Sequence, residues 1–103
     1  MNEFTILVMY KSKGEGMREA FVRELTESGV LSAIRNEDGC MAYDYYYSHD
    51  DKNALVLYEK WASAEHQRVH MTQPHMKSAM EIKSKYIDSA QLKRIDISNL
   101  QII

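Results

Sequence analysis

The sequence predicts an α+β fold of the ferredoxin-like kind. Its elements run βαββαβ, forming a four-stranded antiparallel sheet with helices on one face. Three observations predict it. Phe4–Tyr10 and Ala54–Trp61 are short runs of β-formers with apolar residues on both faces, as expected of central strands covered twice. Cys40–His49 alternates, and the polar turn 50–53 (DDKN) joins it to Ala54–Trp61 as a hairpin. Residues with helical spacing follow the first and the third strand.

In the first strand, Phe4, Ile6, Val8 and Tyr10 share one face, and Thr5, Leu7 and Met9 the other. The stretch 11–16 (KSKGEG) is a turn by composition. Met17, Ala20, Phe21 and Leu25 form a helical stripe that Leu31 and Ile34 continue, with Gly29 marking a kink or a break into a second short helix. Residues 36–39 (NEDG) end the helix and turn the chain. Strict alternation in the second strand places Met41, Tyr43, Tyr45, Tyr47 and His49 on one face and Cys40, Ala42, Asp44, Tyr46 and Ser48 on the other. After the third strand, Ser63 is a good N-cap and Glu65 suits the first turn of a helix. Thr72 as cap and Pro74 in the first turn suggest another helix to about Lys85, with Met76, Ala79, Met80 and Lys83 on neighbouring positions. Tyr86–Asp88 and Gln91–Ile97 read as extended, and the apolar tail Asn99–Ile103 is expected to pack.

The 103 residues suit a single domain, 1–103, with a modest core. The 13 basic and 15 acidic side chains are nearly balanced, which argues against the basic patch of a nucleic-acid-binding protein. One cysteine, Cys40, forms no disulfide within the chain and fits a reducing compartment. The apolar run near the N-terminus is too short to span a membrane and lacks a cleavage site, so a cytoplasmic, soluble protein is expected, with no membrane partner. Seven tyrosines and seven methionines suit a surface that packs yet adapts. Tyr and Met line both faces of the second strand, and the helices cover only one face of the sheet. A second copy packed sheet against sheet would cover the other, which predicts a two-fold homodimer.

The chemistry-bearing residues cluster between Ala54 and Met76. Glu59 and Trp61 point to one face of the third strand, and His66, His70 and His75 follow within fifteen residues of Trp61. Glu59 is an acid in a strand that otherwise favours burial, so it needs a partner or a raised pKa. Arg18, Arg68 and Arg94 are candidate partners. His66 is expected to face solvent.

The E-x-W of Glu59 and Trp61, then Ser63, His70 and TQPHM (Thr72 to Met76), resemble the antibiotic biosynthesis monooxygenase family. So does EDGCMAY, Glu37 to Tyr43, before the hairpin. The usual T-P-H order is spread here over Thr72, Gln73, Pro74 and His75. The chain is most similar to the quinol monooxygenase-like members. The resemblance implies a dimeric α+β barrel, and an enzyme that oxidises a small quinol or anthrone with O2, using neither flavin nor metal. On that reading the protein supplies a dry pocket, a base, and a donor for the substrate anion. His70 is the first choice as base, because histidine titrates near neutrality. His75 is the second choice, or a donor to the anionic oxygen. Glu59 orients a histidine or holds a substrate hydroxyl. Trp61 forms a pocket wall that stacks on a planar ring, and Tyr43 and Tyr45 reach the pocket.

Blander readings compete. Trp61 suits a core, Glu59 a structural ion pair, His75 a helix start, and the tyrosines an interface. A metal site built from His66, His70, His75 and Glu59 is a weaker alternative. The related autoinducer-2 phosphate-processing branch suggests an isomerase of a small phosphorylated diketone. Its phosphate would need a cation, and Lys77, Lys83, Lys85, Arg68 and Arg94 are equal candidates. Haem-degrading relatives, with His70 or His75 as haem ligand, and a non-catalytic module that binds a small molecule remain further alternatives.

Overall fold

The computed structural model describes residues 2–95. The elements are β1 (Phe4–Ser12), α1 (Met17–Glu27), α2 (Val30–Arg35), β2 (Cys40–Tyr47), β3 (Ala54–Trp61), α3 (Ala64–His70), α4 (His75–Tyr86) and β4 (Ile87–Ile95). All four strands pair antiparallel in the order β2-β3-β1-β4. The two strands apolar on both faces are the central ones, as the ferredoxin-like reading requires.

Each break has a local cause. Gly29 takes φ +84°, a left-handed conformation that costs glycine little, and it splits the first helical stretch into α1 and α2. Phe21 and Leu25 of α1 and Val30, Leu31 and Ile34 of α2 are buried against the sheet. Opposite them lie Ile6, Val8 and Tyr10 of β1, and Leu55, Leu57, Glu59 and Trp61 of β3. Each large apolar side chain buried here contributes about 1.5–3 kcal/mol. Arg18 secures the hairpin from α1 by donating to the carbonyls of Ser48, Asp51 and Ala54.

The second strand departs from strict alternation. Cys40 pairs with Trp61 and Ala42 with Lys60, so Met41 is the extra residue of a bulge and is exposed. The bulge shifts the phase, bringing Cys40 to the helix-covered side with Tyr43 and Tyr45 and taking Met41 off it. Thr72 does not cap α4: its hydroxyl donates to Val69 O at 2.7 Å, closing the end of α3, and Pro74 precedes His75 with no side-chain cap. The last strand is one element from Ile87. Its expected extension to Ile97 and the packing of the tail lie outside the described residues.

Among the described residues no helix covers the opposite sheet face. Leu7 and Met9 of β1, Val56 and Tyr58 of β3 and Tyr46 of β2 share it by register. Tyr46 is exposed and the other four are half-buried. Among the described residues no helix is long and apolar enough to cross a membrane.

Candidate active site

The site is built from the turn after α2 together with β2, β3, α3 and α4. Ser63 caps α3, accepting the His66 backbone N–H at 3.2 Å. The short helix ends at His70, whose side chain is 1% exposed. Beneath it lies the fully buried Trp61, with ring centroids 4.6 Å apart and planes tilted by 34°. Tyr43 meets the same imidazole edge-on at 5.6 Å. Indole and phenol rings thus fix the plane of His70.

The turn after α2 fixes its rotation. Glu37 Oε2 lies 2.9 Å from His70 Nδ1 and 2.7 Å from His75 Nε2. A carboxylate only accepts, so both ring nitrogens donate to it. In the neutral ring this leaves His70 Nε2 as an acceptor, and His70 is among the residues that line the neighbouring cavity.

The cavity, about 190 Å³, lies between the sheet and α4. Tyr43, Tyr45 and Glu59 form part of its sheet side, and Met76, Ala79, Met80 and Lys83 line it from α4. Glu59 accepts the Trp61 indole N–H on Oε1 at 3.0 Å. Burial raises its pKa from 4.5 to about 7; the Trp61 bond opposes the shift and the charge of Glu37 adds to it. Near neutrality Glu59 is therefore both a proton donor and a proton acceptor. Burial, the largest cause, holds the Tyr43 and Tyr45 hydroxyls well above the usual phenol range, so both remain neutral.

The structure gathers His70, Glu59, Tyr43 and Tyr45 around one cavity. It does not place Trp61 or His75 on the cavity wall. Trp61 lies under His70 and Glu59 instead of presenting a stacking face, and His75 spends Nε2 on Glu37 instead of on a substrate anion. Glu37, not Glu59, orients the histidines. Glu59 takes Trp61 as its partner, while Arg18 binds the hairpin, Arg68 binds Glu65 and Arg94 lies over Phe4. His66 is half-buried, not solvent-facing: its Nδ1 is 2.7 Å from Ser63 Oγ and its Nε2 3.4 Å from Asp38. Among the described residues no three His, Cys, Asp or Glu side chains are arranged to hold a metal ion.

A model of the antibiotic biosynthesis monooxygenase family matches residues 3–82. The chain belongs to that family. No curated protein matches it in sequence. Solved structures of the same fold include a Mycobacterium tuberculosis protein at 23% identity, with 92% of this chain and 94% of that one covered and a TM-score of 0.75. A Pseudomonas aeruginosa protein matches at 19% identity, with coverage of 92% and 93% and a TM-score of 0.76. SnoaB, a cofactor-independent oxygenase from Streptomyces nogalater, matches at 12% identity, with 93% of each chain covered and a TM-score of 0.76. At these identities the likeness speaks to the fold.

Proposed function

We propose that this antibiotic biosynthesis monooxygenase family member oxidises a small electron-rich aromatic, of the quinol or anthrone type, with O2 and without flavin or metal. The observation that carries the reading is the buried Glu37–His70 pair at the wall of a largely apolar cavity that His70 lines. The fold it shares with a cofactor-independent oxygenase is consistent with it.

His70 Nε2 takes the proton of the bound hydroxyl or activated methylene, and Glu37 stabilises the resulting imidazolium. Tyr43, Tyr45 and protonated Glu59 are the donors available to the substrate anion. The anion gives one electron to O2, and the radical pair combines into a carbon-bound peroxide. Taking up a proton, the peroxide loses water, leaving one oxygen atom as a carbonyl on the ring and sending the other to water. The substrate supplies all the electrons.

The same reading includes a homodimer joined through the open sheet face, where Leu7, Met9, Val56, Tyr58 and Tyr46 form an apolar surface. The test is oxygen uptake by metal-stripped protein on a panel of quinols and anthrones, alongside His70→Ala. Uptake lost in the variant supports the reading. Uptake that persists moves the base to Glu59. No uptake on any substrate overturns the oxygenase.

A further inference from the structure

We propose that the cavity is built for a planar aromatic that carries a carboxylate at the end remote from its reacting hydroxyl, and that Lys83 recognises that carboxylate. The inference rests on the reading of this cavity as the substrate site.

Five cations were equal candidates in the sequence, and the structure separates them. Lys85 pairs with Glu24 and Arg68 with Glu65, both at the surface. Arg94 lies over Phe4, and Lys77 borders a separate surface depression beside Thr72 and Pro74. Lys83 alone of the five lines the cavity, and among the described residues no carboxylate pairs with it. Its ammonium instead lies 5.3 Å from the centroid of the Tyr10 ring. An anion arriving at the cavity wall beside this ammonium gains a charge-assisted hydrogen bond.

Its position sets the shape of the ligand. His75 opens α4 and touches Glu37, which touches His70, so the N-terminus of α4 marks the proton-transfer end. Lys83 is eight residues further along, about 12 Å at 1.5 Å per residue. Between them Met76, Ala79 and Met80 face Tyr43 and Tyr45 across an apolar space. A rigid ligand that reaches both ends carries the hydroxyl at one end and the charge at the other. One ammonium matches a monoanion. A phosphate dianion would call for more donors, and Lys83 is the only Lys or Arg on the cavity wall among the described residues.

The test is calorimetric binding of three probes to the full chain under nitrogen: a hydroxynaphthoate with its substituents at opposite ends, the matching naphthol, and the matching hydroxynaphthyl phosphate. We expect the carboxylate to bind about tenfold tighter than the naphthol. Lys83→Met should bring that ratio close to one, and Lys83→Arg should keep most of it. Comparing ratios within each variant cancels any general loosening of the cavity. Equal binding of carboxylate and naphthol by the wild type, or an unchanged ratio in Lys83→Met, overturns the proposal. Tighter binding of the phosphate than of the carboxylate also overturns it, in favour of a phosphorylated ligand. Because binding is read without turnover, absent oxygen uptake with an intact carboxylate preference would sink the oxygenase and leave this assignment standing.

Discussion

Glu37 and His70 lie 33 positions apart in sequence, yet a carboxylate oxygen of one is 2.9 Å from Nδ1 of the other, with both side chains buried. This bond selects the tautomer in which His70 Nε2 accepts. Glu37→Gln keeps the shape but can turn its amide N–H toward Nδ1, favouring the tautomer with the proton on Nε2. We expect kcat to fall by about 100-fold with KM little changed. His75→Asn should cost about tenfold or less, because His75 reaches the cavity only through Glu37. Steady-state oxygen uptake checks the order, with His70→Ala as the most damaged. If His75→Asn is as damaging as Glu37→Gln, the assignment of roles is wrong.

Glu59 makes a prediction about stability. In the unfolded chain its pKa is near 4.5, and in the fold about 7. Below about pH 4.5 both states hold the proton and Glu59 costs nothing. Between the two values the unfolded chain releases a proton that the folded chain keeps, so stability falls as pH rises. Above pH 7 the cost is complete, at about 3 kcal/mol. Glu59→Gln retains an oxygen for the Trp61 N–H and removes the charge. The variant should match the wild type at about pH 4 and exceed it by about 3 kcal/mol at about pH 8, measured by urea unfolding. A difference that does not change with pH would show that Glu59 is not held above its ordinary range.

Much of this arrangement was legible in the sequence, and the exceptions have identifiable causes. Central strands show themselves through two-sided apolarity, as in Ile6 and Val8 against Leu7 and Met9 of β1, and Leu55 and Leu57 against Val56 and Tyr58 of β3. The α4 stripe of Met76, Ala79, Met80 and Lys83 could be read from its spacing, and it lines the cavity. The bulge at Met41 could not, because an inserted residue leaves no mark on composition and only changes the phase between the strand residues on either side of it. Glu37 was visible within EDGCMAY but had no role there: a turn residue has no periodicity tying it to a histidine three elements later. Trp61 and Glu59 were correctly placed on one face, but local spacing does not reveal that they bond to each other.

Gly39 carries a steric prediction. It closes the turn that holds Glu37, at φ +81°, and a Cβ added there would lie 2.3 Å from His66 Cδ2. Gly39→Ala combines a left-handed backbone, at about 1–2 kcal/mol, with overpacking, at about 1–3 kcal/mol. For a domain this size the melting temperature should drop by roughly 10 °C or more. Adding His66→Ala removes the ring but leaves its Cβ 2.8 Å from the new carbon. Rescue should therefore be partial, as followed by circular dichroism on heating. Full rescue would mean that the backbone conformation at Gly39 costs nothing.

The open sheet face makes the last prediction. Tyr46 is 58% exposed, and Val56, its partner across the β2–β3 pair, is half-buried on the same face. An apolar surface of this kind on two central strands and a neighbour is expected to be covered by a second copy. The wild type should sediment as a dimer at micromolar concentration, with a melting temperature that rises with protein concentration. Tyr46→Asp changes a side chain already in water in the single chain, so it should leave the fold intact. A charge would then be buried in the interface from each copy, and the variant should sediment as a monomer. Val56→Asp should act in the same direction with a greater loss of stability, since it sits at the centre of the sheet. A wild type that sediments as a monomer would remove the dimer, and the open face would need another explanation.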